Sequence, residues 1–388
     1  MTSLRQKKDH YYGFEQGPIR PPSEARSLLI RVTRNCPWNR CAFCPVYKGA
    51  RFSVRPEEHV IADVDAIHRH VSRLRELADA QGRIQRQEIN QYLQALPDHE
   101  QQAFAAAVNW FAGGMTSIFL QDANSLVIKP ESLIRILRHI RSRFPWVARI
   151  TSYARSHTVA RISDGHLKQM QVAGLNRIHI GLESGSDAVL EQVRKGVDKA
   201  TQIKAGRKVK QAGMELSEYV MPGLGGRDLS RDHALETADA LNQIDPDFIR
   251  LRTLAVPGGI PLAEQQRSGQ FVKLNDIDMV REIRLFVAHL DGITSMLASD
   301  HILNLFEEVQ GRLPEAKPAI LAVLDRFLDL APRERCLFQV GRRLGIFSRL
   351  ADMQSPRRRA KVAAFCDQHG IGPENVDEII DEMMKHFI

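Results

Sequence analysis

Cysteine is scarce in this chain, with five in 388 residues, and three of those five fall inside one short loop. A disulfide framework needs cysteines paired across the sequence, so this usage excludes a disulfide-stapled secreted scaffold and fits a reducing compartment. Long apolar runs are also missing. No stretch reaches the ~18 apolar residues that span a bilayer, and the opening Met1-Thr2-Ser3-Leu4-Arg5-Gln6-Lys7-Lys8 holds no apolar signal core. We therefore expect a cytoplasmic protein with no membrane partner. Blocks of like charge are few. The net charge of +8 is diffuse apart from Arg357-Arg358-Arg359 with Lys361. Without interleaved aromatics, that run after Ser355-Pro356 reads as a solvated helix start, and a nucleic-acid partner is the less favoured reading. What the chain does have is 43% apolar residues, enough for one barrel and a smaller satellite region.

The clustered cysteines are Cys36, Cys41 and Cys44, in Asn35-Cys36-Pro37-Trp38-Asn39-Arg40-Cys41-Ala42-Phe43-Cys44. They follow the apolar, strand-like Ser27-Leu28-Leu29-Ile30-Arg31-Val32-Thr33, which puts the thiols on a loop at that strand's C-terminal end. Thiolates at short spacing suit the iron corners of a [4Fe–4S] cluster, and three of them leave one iron open to a small molecule. The alternatives are a zinc site completed by His59, His68 or His70, and unrelated buried thiols. Cys336 and Cys366 are single and far apart, which argues against a second cluster.

Periodicity shows short apolar strands alternating with amphipathic helices, the rhythm of a parallel α/β sheet. Strands are expected at 27–33, 116–121, 147–153, 176–182, 214–221, 247–254 and 293–298. Six of them make a partial (β/α)6 TIM-like barrel over residues 24–300. Residues 1–23 form an N-terminal extension, about 80–110 read as a helical insertion, and 301–388 as a helical C-terminal region without strands. Helices are expected at 318–330 and 374–388.

The cysteine loop after a first strand, with Phe43 before the third cysteine, resembles the radical S-adenosylmethionine (SAM) superfamily. Its spacing, C-x4-C-x2-C, is a less common variant of C-x3-C-x2-C. A second motif resembles the Elp3-like, methylthiotransferase-like and oxygen-independent coproporphyrinogen-oxidase-like branches. It runs Arg177-Ile178-His179-Ile180-Gly181-Leu182-Glu183-Ser184-Gly185-Ser186-Asp187-Ala188-Val189-Leu190 and on to Arg194-Lys195-Gly196. By this resemblance Cys36, Cys41 and Cys44 would hold the cluster, and Glu183 would hydrogen-bond the SAM ribose or ammonium.

In parallel barrels the active site gathers at the C-terminal ends of the strands. After the second strand comes Gln121-Asp122-Ala123-Asn124, where the resemblance places a Gly-Gly-Glu type motif that receives the SAM ammonium. Asp122 and Asn124 offer the same acceptors; a plain Asx turn is the alternative. The third strand ends in Thr151-Ser152-Tyr153-Ala154-Arg155. Ser152 and Arg155 are candidates for the cofactor, Arg155 for the methionine carboxylate, and Tyr153 is a candidate catalytic phenol. The fifth leads into Glu218-Tyr219-Val220-Met221-Pro222-Gly223-Leu224-Gly225-Gly226, with Met221 lining the cofactor. Arg250 and Arg252 share one face of the sixth strand and need an anion if that face is inward; Arg252 joins the cofactor set. Ser299-Asp300-His301 ends the seventh. His301 is a candidate for proton transfer, its tautomer fixed by a neighbouring carboxylate, with Asn304, Glu307 and Glu308 on a following helix.

The resemblance implies reductive cleavage of SAM to a 5′-deoxyadenosyl radical that removes hydrogen from a substrate. A small molecule or cofactor precursor is the expected substrate, with RNA modification as the alternative. An electron donor such as flavodoxin or ferredoxin is the expected partner. The reading of another class is a non-enzymatic iron–sulfur electron carrier or sensor using the same three thiols.

Overall fold

The computed structural model describes residues 10–384. These residues form two compact units. The first holds 10–37, 49–178 and 212–214, and the second 38–48, 179–211 and 215–384.

In the first unit, β1 (Leu28–Arg31) pairs in parallel with β2 (Ser117–Gln121), Leu28 opposite Ile118 and Arg31 opposite Gln121. β2 pairs in parallel with β3 (Arg149–Ala154), Ser117 opposite Arg149. Every residue of β2 is buried, the mark of a parallel strand covered on both faces. The connection from β1 to β2 holds three helices, Glu57–Leu77, Arg86–Ala95 and Asp98–Ala112. Glu57–Leu77 buries Val60, Val64, Ile67, Val71 and Leu74, a stripe at helical spacing. Asp98–Ala112 buries Ala103, Phe104, Ala107 and Trp110, and the Trp110 indole donates to the Ser117 carbonyl at 2.9 Å. Only Arg86–Ala95 has no buried residue. Of the stretch 80–110, the second half is therefore packed core and only the first half is peripheral.

In the second unit the strand order is β4 (Arg177–Glu183, from His179 onward), β5 (Glu215–Val220), β6 (Phe248–Leu251), β7 (Met296–Ala298) and a short β8 (Gly311–Arg312). β5, β6 and β7 are parallel neighbours, and β8 is antiparallel to β7. All seven expected strands occur; each starts later than expected, β3 and β4 end one residue later, and β1, β5 and β6 end earlier. β8 is the exception to a strand-free region after 300. The C-terminal helices are Lys317–Leu328, Pro332–Arg343, Pro356–Gln368 and Val376–Met384. Phe306, Phe327 and Phe338 meet with ring centroids 5.3 to 5.7 Å apart, and Phe347 stacks on Phe338. Residues 301–384 fall in the second unit together with β5, β6 and β7.

In both units strand and helix alternate with parallel neighbours, the repeat of an α/β partial (β/α)6 barrel. Among the described residues no helix is long and apolar enough to cross a membrane.

Candidate active site

In the first unit the end of β1 and the root of the cysteine loop are fixed by one buried carboxylate. Asp122 Oδ2 accepts from Arg31 Nε at 2.9 Å and from the Asn35 amide at 2.9 Å, with Arg31 Nη2 at 2.8 Å. Asn35 has φ +67° and stands immediately before Cys36. Gly17 closes over the other oxygen, since a Cβ there would lie 2.0 Å from Asp122 Oδ1. The Gln121 side chain accepts from the Gly17 amide at 2.9 Å and donates to the Ile19 carbonyl. Glu15 receives Arg34 at 2.8 Å, with Arg55 at 3.3 Å and Arg31 at 3.7 Å. Beneath it, buried Asp63 bonds to Arg55 and to the Tyr11 hydroxyl. Burial pushes both the Asp63 carboxyl and the Tyr11 phenol up. Residues 11–19, expected as an extension outside the barrel, are thus part of the site's foundation. Nothing in their own sequence carries that signal, because their polar partners lie between 16 and 104 positions away.

Asn124 also has intramolecular partners on both sides. Its Oδ1 accepts from the Arg155 amide at 3.0 Å and its Nδ2 donates to Thr158 Oγ1 at 2.9 Å. Ser152 is buried and donates to the Tyr153 carbonyl, and Tyr153 lies edge-on to Phe119 at 5.2 Å. Asn124, Ser152, Tyr153 and Arg155 lie at or just beyond the ends of the neighbouring parallel strands β2 and β3. The histidines considered as zinc ligands are engaged elsewhere in this unit. His70 bonds to Glu100 at 2.8 Å, His59 packs on Tyr11 and His68 on Phe144.

In the second unit the rest of the cysteine loop is seated on the segment that follows β4. The Trp38 indole donates to the Arg194 carbonyl at 2.8 Å, and the Ala42 amide to the Val193 carbonyl at 2.8 Å. The Leu262 amide bonds to the Ala42 carbonyl, and Lys48 Nζ to the Cys41 carbonyl at 2.9 Å. Ala42 and Phe43 are buried in a cluster with Val189, Val193, Leu224 and Leu262, against which Cys41, Cys44 and Met221 pack. Phe43 also carries Lys195 over its ring at 5.8 Å. The aromatic before the third cysteine is therefore an anchor for the loop. None of the chain's cysteines is in a disulfide.

Lys195 pairs with Glu183 at 3.0 Å. Glu183 is held at φ +63°, a left-handed conformation that costs a residue with a side chain about 1–3 kcal/mol. Gly181 makes room for the turned-back carboxylate, because a Cβ there would meet Glu183 Oε1 at 2.2 Å. Arg194, later in the same motif, is also left-handed at φ +53°. The Glu183 carbonyl accepts from the Met221 amide at 3.0 Å, joining the ends of β4 and β5. After β5, Gly223 adopts φ +86° and its amide donates to buried Glu282 at 2.6 Å. His233 stands 3.6 Å from Glu282 and bonds Ser184 through Nδ1 at 2.8 Å. The glycine-rich loop and the β4 motif are thus tied to the same helices.

Sequence reasoning did not single out Glu218 on β5. It is 1% exposed, and its Oε2 has no hydrogen-bond partner. Burial, and then the neighbouring Glu183, raise its pKa well above the ordinary carboxylate value.

At the ends of β6 and β7, Asp300 bridges two arginines: Arg250 Nη1 at 2.6 Å and Arg252 Nη1 at 2.7 Å. Burial opposes its ionisation, yet Arg252 and Arg250 hold the Asp300 carboxyl below its usual range. Arg252 lies 4.8 Å from the Tyr219 ring centroid, and Arg250 Nε donates to Ser217. Asn304 pins this corner by accepting from Thr253 and donating to the Leu251 carbonyl and Ser299. His301 differs from expectation. Asp300 is committed to the arginines, and the Leu303 amide, donating to Nδ1 at 3.3 Å, assigns the ring's proton to Nε2. Burial first, and Arg252 next, lower the His301 pKa to about 4, so it is neutral near pH 7. Asn304, Glu307 and Glu308 lie in irregular backbone; no helix forms there because Asn304 and Ser299 bond across the turn instead.

Two further groups look different in three dimensions. Cys336 and Cys366, on the helices Pro332–Arg343 and Pro356–Gln368, are buried and hydrogen-bonded to each other. In the basic run, Arg358 pairs with Asp352 and Arg359 with Glu334, while Ser355 caps the helix.

Three thiols spaced C-x4-C-x2-C on one loop are the donor set a [4Fe–4S] cluster takes. Among the described residues no three His, Cys, Asp or Glu side chains converge on a closed metal site. Cys36, Cys41 and Cys44 fit a cluster by their donor chemistry and spacing. Residues 30–240, more than half of the chain, match the family model described as "Radical SAM superfamily". A tRNA uridine(34) acetyltransferase of Methanocaldococcus infernus is 25% identical over 122 residues, which is 31% of this chain and 23% of that protein. Its counterpart in Methanocaldococcus jannaschii is 26% identical over 106 residues, 27% of this chain and 20% of that protein. The chain thus spans less than a quarter of the curated relatives it matches. Among solved structures, coproporphyrinogen III oxidase (HemN) from Escherichia coli is similar at TM-score 0.45 and 14% identity, covering 68% of this chain and 52% of that one.

Proposed function

Because the chain belongs to the radical SAM superfamily, we propose that it removes a hydrogen atom from a substrate that is a small molecule or cofactor precursor. As a member of that family it is an enzyme that takes a [4Fe–4S] cluster and SAM, which decides against the carrier or sensor reading. When bound, these supply the reducing electron and the 5′-deoxyadenosyl group that receives the hydrogen. The observation that carries the reading is the cysteine motif inside the matched region, backed by the seating of Cys41, Cys44 and Met221 on one apolar cluster.

Cys36, Cys41 and Cys44 would hold the cluster. Glu183 offers its strained, Lys195-paired carboxylate to hydroxyl or ammonium donors of SAM, and Met221 lines the same corner. Asp122, Asn124, Ser152 and Arg155 belong to the cofactor set through the backbone they fix at the ends of β2 and β3. Tyr153 and His301 are proposed to meet the substrate, His301 as a neutral Nε2–H donor. A flavodoxin or ferredoxin is the proposed reductant, in the cytoplasm.

RNA is the second reading, favoured by the stretch shared with the two tRNA uridine(34) acetyltransferases. The test is anaerobic reconstitution followed by iron and sulfide analysis, low-temperature EPR, and chromatography of 5′-deoxyadenosine from added SAM. Wild type should show a reducible cluster whose spectrum shifts with SAM, and should release deoxyadenosine. The Cys36→Ala, Cys41→Ala, Cys44→Ala variant should do neither. Zinc, or a cluster indifferent to SAM, would sink the proposal.

A further inference from the structure

We propose that Arg252, with His301 beside it, forms an oxyanion subsite that receives a carboxylate or phosphate group of the substrate. This rests on the radical SAM reading above and names the class of substrate it would take.

The argument begins with charge. Arg250 and Arg252 are both largely buried, with side chains 8% and 12% exposed, and they share the single carboxylate of Asp300. Two guanidiniums against one carboxylate leave one positive charge uncompensated. The neighbouring titratable side chain does not alter that balance, since His301 stays neutral near pH 7. Buried charge without a counterion is costly enough that proteins rarely leave it so.

Hydrogen bonding identifies which arginine is incomplete. Arg250 donates through Nε to Ser217 and through Nη1 to Asp300. Arg252 donates through Nη1 to Asp300 and to the Leu251 carbonyl, but its Nη2 is buried with no partner. A guanidinium edge pairs best with a planar carboxylate or a phosphate. His301, whose Nδ1 is occupied by the Leu303 amide, has only Nε2–H to offer, again a donor. A corner that presents donors and net positive charge accepts an oxyanion.

Rigidity makes this a prepared site. Asn304 clamps Leu251, Thr253 and Ser299 from one side chain, and the Tyr219 ring lies against the guanidinium of Arg252. The cluster sits at the ends of β6 and β7, whereas Glu183 and Met221, proposed for SAM, mark the ends of β4 and β5. Arg252, first expected beside the cofactor, is therefore assigned to the substrate.

The experiment titrates inorganic phosphate, and separately acetate, into the reconstituted full chain by calorimetry, with chloride as the ionic-strength control. One equivalent of at least one anion should bind wild type at millimolar concentration, the stronger of the two identifying the substrate's group. Arg252→Gln should weaken that binding at least tenfold. Asp300→Asn, which removes the internal competitor, should tighten it at least threefold; this variant decides the matter should Arg252→Gln fail to fold. SAM and the anion should bind together. Absence of anion binding by wild type, unchanged affinity in both variants, or displacement of the anion by SAM would each overturn the proposal. A wild type that binds anion but yields no deoxyadenosine would instead count against the radical reading alone.

Discussion

Gly196 leaves the space that the Trp38 indole fills: a Cβ at 196 would stand 2.2 Å from the Trp38 ring. The same indole donates to the Arg194 carbonyl at 2.8 Å. A residue of the cysteine loop and the end of the β4 motif, 158 positions apart, are thus fitted to each other. Residues 38–44 of the cysteine loop and 179–196 of the β4 motif form one packed piece in the second unit.

Gly196→Ala should therefore loosen the loop. Its φ of +70° disfavours any side chain, and overpacking against a ring costs about 1–3 kcal/mol. We expect less than half the wild-type iron after reconstitution. Adding Trp38→Ala should relieve the clash without restoring the indole hydrogen bond, giving an intermediate iron content. Wild-type iron in Gly196→Ala would show that this contact does not position the loop.

Glu218 gives a pH-dependent prediction. Its pKa is raised in the folded chain, so folding favours the protonated form. Stability from this group is complete below the unfolded value of about 4.3 and falls as pH rises toward the folded value. Glu218→Gln removes the ionisable group. Relative to wild type, the variant should gain about 1 kcal/mol or more in urea unfolding at pH 8 compared with pH 4.5. Parallel pH profiles for the two proteins would mean that Glu218 is ionised in the fold.

Much of the architecture was legible in the sequence because strand positions depend on local apolar runs. β2 reads as a strand from Ile118-Phe119-Leu120 alone. The helix Pro332–Arg343 was not legible, since it buries Arg342 and Arg343, which bond to the Asn304 and Leu303 carbonyls. Buried arginines break the polar-outside pattern on which periodicity rests. At the site, the cysteines and Glu183 stood out because each lies in a dense local motif. Glu15, Gly17 and Glu218 acquire their meaning only from partners brought near by folding, and no spacing announces them. For Asp122 and Asn124 the residue positions were evident, but their intramolecular bonds to Arg31, Asn35 and Thr158 were not.

Asp122→Asn tests that intramolecular role. The amide keeps an acceptor but loses the charge that faces Arg31, itself largely buried. Breaking a buried pair by removing one partner costs about 3–5 kcal/mol, and retention of one acceptor should reduce the loss to about 2 kcal/mol. Because Asn35 hangs from the same oxygen, iron content should fall with stability. A variant of unchanged urea midpoint would show that Arg31 is satisfied by Glu15 alone.

His301 provides the complementary pH test. Its folded pKa of about 4 lies below the unfolded value near 6.5, so folding favours the neutral ring. The stability it contributes is complete above pH 6.5 and is lost as pH falls toward 4, where the unfolded chain binds a proton that the folded chain refuses. Burial is the main cause and Arg252 the next, while Asp300 acts in the opposite direction. Wild type should therefore lose about 1–2 kcal/mol relative to His301→Gln between pH 7.5 and pH 5, a figure already reduced for the ring's partial exposure. Selective 13C labelling of histidine gives the direct reading. The His301 resonance should remain at its neutral position at pH 5. A midpoint near 6.5 would mean that the ring is open to water and the Arg252 guanidinium too distant to govern it, and the donor-only corner at β6 and β7 would lose one of its two members.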